Sequence, residues 1–175
     1  MVEKEEIQEA LFRKAKIEEV SEIWKILQEA IEKRRLEGSK QWQNGYPNSE
    51  VVKEDIRKEV GYVLVEDSVI QAYAAVILNE EPAYLNIDGK WLTNGDFLVI
   101  HRVAASKRAV GKGKAYQLLI KVEDLARQMK IPSIRMDTNF DNLSMLGLLK
   151  KLDYLYCGEV LMRGEPRKAF EKKIL

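Results

Sequence analysis

Phe97-Leu-Val-Ile-His-Arg-Val-Ala-Ala-Ser-Lys-Arg-Ala-Val-Gly-Lys-Gly-Lys-Ala115 is the stretch on which the reading of this chain turns. Its first nine residues are mostly apolar, as in a strand buried within a sheet. Two glycines follow, and then a run with helical spacing. A strand, a glycine-bearing turn and a helix start, in that order, gather main-chain N–H groups and the positive end of a helix dipole at one point. A phosphate or diphosphate is the group such a turn receives best.

Downstream of this stretch, Ala115, Leu118, Leu119, Val122, Leu125, Ala126 and Met129 fall on one helical face, so a helix is expected from about Gly113 to Lys130. Pro132 stops it, and Ile134 to Thr138 reads as the next strand. Strand, helix, strand at this spacing implies parallel pairing through a right-handed crossover. A further helix from about Asn142 to Leu152 buries Met145, Leu146, Leu149 and Leu152, and Tyr154 to Met162 and Lys168 to Ile174 read as strands.

Upstream, a short strand is expected at Leu11 to Ala15. An amphipathic helix follows from about Ile17 to Leu36, on the spacing of Val20, Ile23, Trp24, Leu27 and Ile31. Gly38 to Ser49 is polar and loop-like, with Ser49 capping a short helix that ends near Lys58. Tyr62 to Glu66 and Val69 to Leu78 form a hairpin about Asp67-Ser68, and Ala83 to Ile87 reads as one more short strand. Hairpins followed by a βαβ unit give an α+β fold with one central, mostly antiparallel mixed sheet.

Composition bounds the function. A chain of 175 residues suits one domain, spanning 1–175. A formal net charge of +1 gives no reason to expect nucleic acid or an anionic membrane as partner. No segment has the length of a membrane span, and the acidic start is unlike a signal peptide. The single cysteine, Cys157, fits a reducing compartment, so a cytoplasmic location is expected. Charged runs such as Glu3 to Glu9 and Glu32 to Arg35 read as solvated faces.

Over nearly its full length the chain resembles a GCN5-related N-acetyltransferase. The residues that carry the resemblance are Ile100-His-Arg-Val-Ala-Ala-Ser106, Gly111-Lys-Gly113-Lys-Ala115, Asp137-Thr, Asp141-Asn142 and Leu148-Leu-Lys-Lys-Leu-Asp-Tyr154. The loop Gln41-Trp-Gln-Asn-Gly-Tyr-Pro-Asn48 is similar to one in small bacterial members. The resemblance implies acetyl-coenzyme A as co-substrate, with no metal, lying between two parallel strands that splay apart. Its pantetheine arm would pair with main-chain groups of Val103 and Ala105. Its diphosphate would meet the amides of Val110, Gly111, Lys112, Gly113, Lys114 and Ala115.

The family pattern is Arg or Gln, two residues, Gly, one residue, then Gly or Ala. Arg108, Gly111 and Gly113 satisfy it literally; counting from Ala104 and from Leu118-Leu119 puts Val110, Gly113 and Ala115 in those places. The second register keeps the family's strand-to-turn and turn-to-helix lengths. It leaves Arg108, Lys112 or Lys114 to supply charge.

The resemblance also implies a tyrosine seven residues after the Asn that opens the last long helix, as general acid. Here that position, counted from Asn142, is Leu149. Tyr154 falls where the family buries an aromatic, while Tyr156 and Cys157 are alternative acids. A thiolate leaving group needs little proton assistance, since an ordinary thiol has a pKa of about 8.5.

His101, the lone histidine, lies on the strand beside the implied thioester, and its reference pKa of about 6.5 suits proton removal from an ammonium. A strand histidine bonded to its neighbours is the alternative. Asn142 either contacts the cofactor or caps its helix, and both roles can hold together. Asn139 is a further candidate at the end of the second splayed strand. Trp42 and Tyr46 border the acceptor pocket by resemblance, or else pack the loop against the first helices.

The expected activity is direct acetyl transfer in a ternary complex, with the Val103 N–H on the developing oxyanion. The acceptor is a small-molecule, peptide or protein amine, and a homodimer is common among relatives. Two other readings compete: a catalytically inactive coenzyme A-binding sensor of the same fold, and an unrelated nucleotide-binding protein. The chain lacks Gly-x-x-x-x-Gly-Lys-Ser/Thr and Gly-x-Gly-x-x-Gly, which lowers the latter.

Overall fold

The computed structural model describes residues 9–175; Glu3, Glu5 and Glu6 of the acidic run lie outside them. Eight strands form one sheet: β1 (Leu11–Lys14), β2 (Gly61–Glu66), β3 (Val69–Leu78), β4 (Asp88–Gly89), β5 (Phe97–Ala105), β6 (Ser133–Thr138), β7 (Leu155–Met162) and β8 (Glu165–Lys173). Their spatial order is β1-β2-β3-β5-β6-β8-β7-β4, and every pairing is antiparallel except β5 with β6. The helices are α1 (Val20–Leu36), α2 (Ser49–Arg57), α3 (Lys114–Gln128) and α4 (Leu143–Lys151).

Helical spacing decides which face each helix covers. Ile23, Ile26 and Leu27 of α1 and Val52 of α2 pack with Val63, Tyr73 and Ala104 on one face of the sheet. Leu118, Leu119, Val122 and Ala126 of α3 pack with Leu149 of α4 on the other, against Val76, Leu98, Ile100, Ile134 and Met136. Fully burying each such aliphatic side chain contributes about 1.5–3 kcal/mol, so the two layers fix the sheet between them.

Three local expectations differ. The segment read as a strand at Ala83 to Ile87 is a 3-10 helix, Pro82–Asn86, because Pro82 fixes φ at its first turn and the Glu81 side chain caps the Ala83 amide. The α2 cap is Asn48, whose side-chain oxygen accepts from the Val51 amide at 3.0 Å, and Ser49 is the first helical residue. Within the charged run Glu32 to Arg35, Arg34 is buried.

Residues 79–96 cover the sheet face beside α2 and place two side chains of the candidate site. They are fastened by Glu171 of β8, fully buried, which accepts from Ser133, Thr93 and the Leu92 amide and pairs with Arg135. Arg135 also donates to the Thr93 carbonyl at 2.7 Å and stacks between Trp91 and Phe97. Burial alone would raise the Glu171 carboxyl; these donors hold it below the usual glutamate value.

Candidate active site

The parallel ladder between β5 and β6 has three residue pairs, Phe97 with Ser133, Leu98 with Ile134 and Val99 with Arg135. Beyond them β5 runs on to Ala105 and β6 to Thr138 without pairing with each other. The strands therefore diverge, and a cavity opens between Ile100, His101 and Val103 on one side and Met136, Asp137 and Thr138 on the other. The edge of β5 along this wedge is a template for an added strand.

A bulge turns β5 toward the cavity. Ala75 pairs with His101 and Tyr73 with Ala104, so Arg102 and Val103 together oppose Ala74. Arg102 takes φ of 54°, uncommon for a residue with a side chain. This extra residue puts two successive side chains, His101 and Arg102, on the face beside α2. Arg102 donates to both carboxylate oxygens of Asp55 at 2.6 and 2.9 Å and to the Tyr46 hydroxyl at 2.6 Å. The Tyr73 hydroxyl donates to Asp55 at 2.6 Å, and burial beside that carboxylate raises the phenol far above its usual value. The network ties α2 and the 41–48 loop to the strained point of β5. Trp42 and Tyr46 both line the cavity.

Two carboxyl groups approach the wedge from residues 79–96 and from β6. Glu81 Oε2 lies 2.9 Å from His101 Nε2. The buried Tyr84 donates its hydroxyl to Asp137 Oδ1 at 2.6 Å. Burial pushes Glu81 up, but His101, the Ala83 amide and the Arg163 charge outweigh it, leaving the carboxyl below its ordinary value. Burial raises Asp137, and there it prevails over the pull of His101 and Tyr84. Neighbouring acids pushed apart in this way divide into a fixed charge and a proton carrier.

The glycine turn lies at the far end of β5. Lys107–Ala109 form a 3-10 turn, Gly111 and Gly113 take φ of 78° and 71°, and Gly113 is the N-cap of α3 with no side-chain cap. The first amides of α3 therefore lack intrahelical acceptors. A Cβ at either glycine would meet nothing within 4 Å, so the approach is open. The Lys112 amide is engaged by the Ala109 carbonyl at 3.1 Å. Lys114 turns its ammonium to Glu66, leaving Lys107, Arg108 and Lys112 as the exposed cations of the turn. Val110 is exposed as well.

Asn142 caps α4: its side-chain oxygen accepts from the Met145 amide at 3.2 Å, and its amide donates to Gln41 at 3.3 Å. Leu149 is fully buried in the core, as is nearly all of Tyr154. Tyr156 is exposed and packs edge-on against Phe170. Cys157 is buried, its thiol raised by burial and the Glu171 charge. Neither Tyr156 nor Cys157 lines the cavity.

The sequence matches the acetyltransferase (GNAT) family over residues 21–154. This chain belongs to that family. An acetyltransferase of the GNAT family from Streptococcus agalactiae is similar in structure, with a TM-score of 0.87, 36% identity, and 95% of this chain and 96% of that chain covered. A putative acetyltransferase from Staphylococcus aureus follows at a TM-score of 0.72 and 27% identity, covering 94% and 99%. The NatC complex bound to Gag peptide and CoA shares the fold at a TM-score of 0.67 and 12% identity, covering 94% and 98%. No curated protein matches.

Within this GNAT fold, the wedge brings together His101, Val103, Trp42, Tyr46 and Asn142 of the residues singled out from sequence. No residue of the glycine turn lines that cavity; the turn follows Ala105, at the end of β5 toward which the wedge opens. Sequence reasoning missed Glu81, Tyr84, Arg102, Arg163 and Arg167. Glu81 and Tyr84 lie in a segment without hydrophobic period, and a charged residue on a strand gives no sign of a bulge.

Proposed function

We propose that the protein transfers an acetyl group from acetyl-coenzyme A directly to a primary amine, both substrates bound together. The observation that carries this reading is the three-pair ladder of β5 and β6, which leaves a strand edge and a cavity at one place. The residues fit the co-substrate: Val103 and Ala105 lie on the open stretch of β5 for a pantetheine arm. Open space at Gly111 and Gly113 lets a diphosphate approach, and the uncapped start of α3 at Lys114 and Ala115 supplies amides without intrahelical acceptors. When bound, acetyl-coenzyme A supplies an activated thioester and a good leaving group.

The chain's own groups do the rest. His101 and Asp137 face the wedge from opposite strands as acceptors for the proton of an arriving ammonium. Glu81 and Tyr84 are positioning residues that hold them. A carboxylate opposite Nε2 keeps the hydrogen on that nitrogen and the basic lone pair on Nδ1. The main-chain N–H of Val103 polarises the carbonyl to be attacked. Trp42 and Tyr46 wall the acceptor side. The single buried thiol suits a reducing interior, and we place the enzyme in the cytoplasm.

A second reading, an inactive coenzyme A-binding sensor, is favoured by one observation: the position where relatives carry an acid is Leu149, sealed in the core. A thiol-release assay with acetyl-coenzyme A across a broad amine library separates the two. Thiol release that requires an amine supports transfer. Thermal stabilisation by acetyl-coenzyme A with no release for any amine supports the sensor, and neither effect overturns both.

A further inference from the structure

Three guanidinium groups line the wedge cavity, and they are not equivalent. Arg102 is saturated by Asp55 and Tyr46. Arg167 is buried, and its Nη1 donates to Asn139 at 3.1 Å, to Glu165 at 3.3 Å and to the Pro166 carbonyl at 3.2 Å. Its Nε and Nη2 make no hydrogen bond to the described residues. Arg163, in the tight turn between β7 and β8, lies over the Tyr46 ring at 3.7 Å. It has no carboxylate within ion-pair distance among the described residues. A guanidinium carries five donors in a fixed plane, and the unbonded ones of Arg167 are not sealed in the interior, so they are available to the cavity that Arg167 lines. Stacking on a ring holds that plane while its donor edge stays free.

Asp137 lines the same cavity on β6, diagonally beside Arg167 of β8, and Glu81 pairs with His101 behind the lining. The charge of Arg163 reaches Glu81 and that of Arg167 reaches Asp137. The pocket thus sets guanidinium donors that have no carboxylate partner close to groups able to take a proton from an ammonium, the spacing of the two charges in an amino acid. We infer that the acceptor is a small molecule bearing both groups, a free amino acid or a close amino-carboxylate, with Arg163 and Arg167 holding its carboxylate. A diamine would set its second cation against two guanidiniums, and a peptide would bring a neutral amide where an anion belongs.

The inference rests on the acetyl-transfer reading. The amine nitrogen bonds to the acetyl carbon as the carbon–sulfur bond breaks. One ammonium proton leaves through His101 or Asp137 to solvent and a second ends on the departing thiol. The products are an N-acetylamino acid and free coenzyme A.

The test measures thiol release for matched triplets: an amino acid, its amide, and the amine left by removing the carboxylate, taken across the common side chains and β-alanine. Charge-assisted contacts predict that kcat/KM for the acid exceeds that of both partners by about 10- to 100-fold. Arg163→Ala and Arg167→Lys should each remove most of that preference through KM, with thermal stabilisation by acetyl-coenzyme A unchanged. Arg167→Lys keeps the charge and loses the fork, guarding against simple unfolding. Equal or better use of amides or amines overturns the inference, as does no turnover of any amino-carboxylate. Loss of activity equally on acids and amines in both variants overturns it too. Failure of acetyl-coenzyme A to stabilise the wild-type protein removes the transfer reading itself.

Discussion

Tyr84 in residues 79–96 and Asp137 near the end of β6 are joined by a 2.6 Å hydrogen bond, so a buried phenol holds a carboxyl group that lines the wedge. Asp137 pays for this location, since burial raises its carboxyl above the ordinary aspartate value. A native value above the unfolded one means the folded protein holds this proton more tightly. The associated stability is therefore fully present below about pH 4 and is lost as pH rises through the native value.

Asp137→Asn removes the ionisable group and keeps an oxygen to accept from Tyr84. At pH 7 the variant should melt above wild type, since a neutral amide escapes the burial cost of the charged carboxylate. Below about pH 4 the gain should vanish. Turnover should fall about 100-fold if Asp137 takes a proton. Melting curves at the two pH values check the first outcome, and a neutral-pH Tm equal to or below wild type contradicts it.

His101→Gln should lower kcat/KM by about 100-fold as the loss of a proton acceptor. Glu81→Gln should cost about tenfold, the effect of removing a partner that orients a functional imidazole. Because Glu81 acts through His101, the double variant should be no worse than His101→Gln alone. Additive losses in that cycle would show that Glu81 works independently.

Asp55→Ala leaves the buried Arg102 without its carboxylate and the Tyr73 hydroxyl without an acceptor. Stripping a buried charge pair of one member costs about 3–5 kcal/mol. Tyr73→Phe removes only one hydrogen bond and should cost about 1 kcal/mol. Urea unfolding of both variants tests the ordering, and similar midpoints would refute it.

Gly113→Ala forces a side chain into a left-handed backbone at the start of α3, worth about 1–2 kcal/mol of strain. Its methyl group would stand in the open space proposed for the diphosphate. Calorimetry should register acetyl-coenzyme A binding weakened by more than tenfold, about 1.4 kcal/mol, while Val110→Ala leaves it within twofold. Unchanged affinity in Gly113→Ala would move the diphosphate elsewhere.

Much of this architecture was legible from periodicity. The bounds of β5, the hairpin of β2 and β3, and the faces of α1, α3 and α4 all follow from the spacing of apolar residues. The segment Asn79 to Asp96 was not, because its order comes from one buried carboxylate 75 or more positions away along the chain. Asp55 reads as a solvated helix residue until the fold brings Arg102 and Tyr73 to it. Side chains such as Arg163 and Arg167 acquire a role only through neighbours that local sequence does not name.

The bulge at Arg102 gives β5 two phases. Up to His101 its side chains alternate in step with β3; after Val103 they alternate again, out of step with the first half. Removing Arg102 would erase the extra residue and restore plain alternation, leaving Ala104 toward α1 and Ala105 the opposite way. What would go is the guanidinium that joins Asp55 to Tyr46. One inserted residue thus gives the α2 side of the strand a side chain that regular pleating would deny it, and a deletion there should spare the sheet while untying the loop that carries Tyr46.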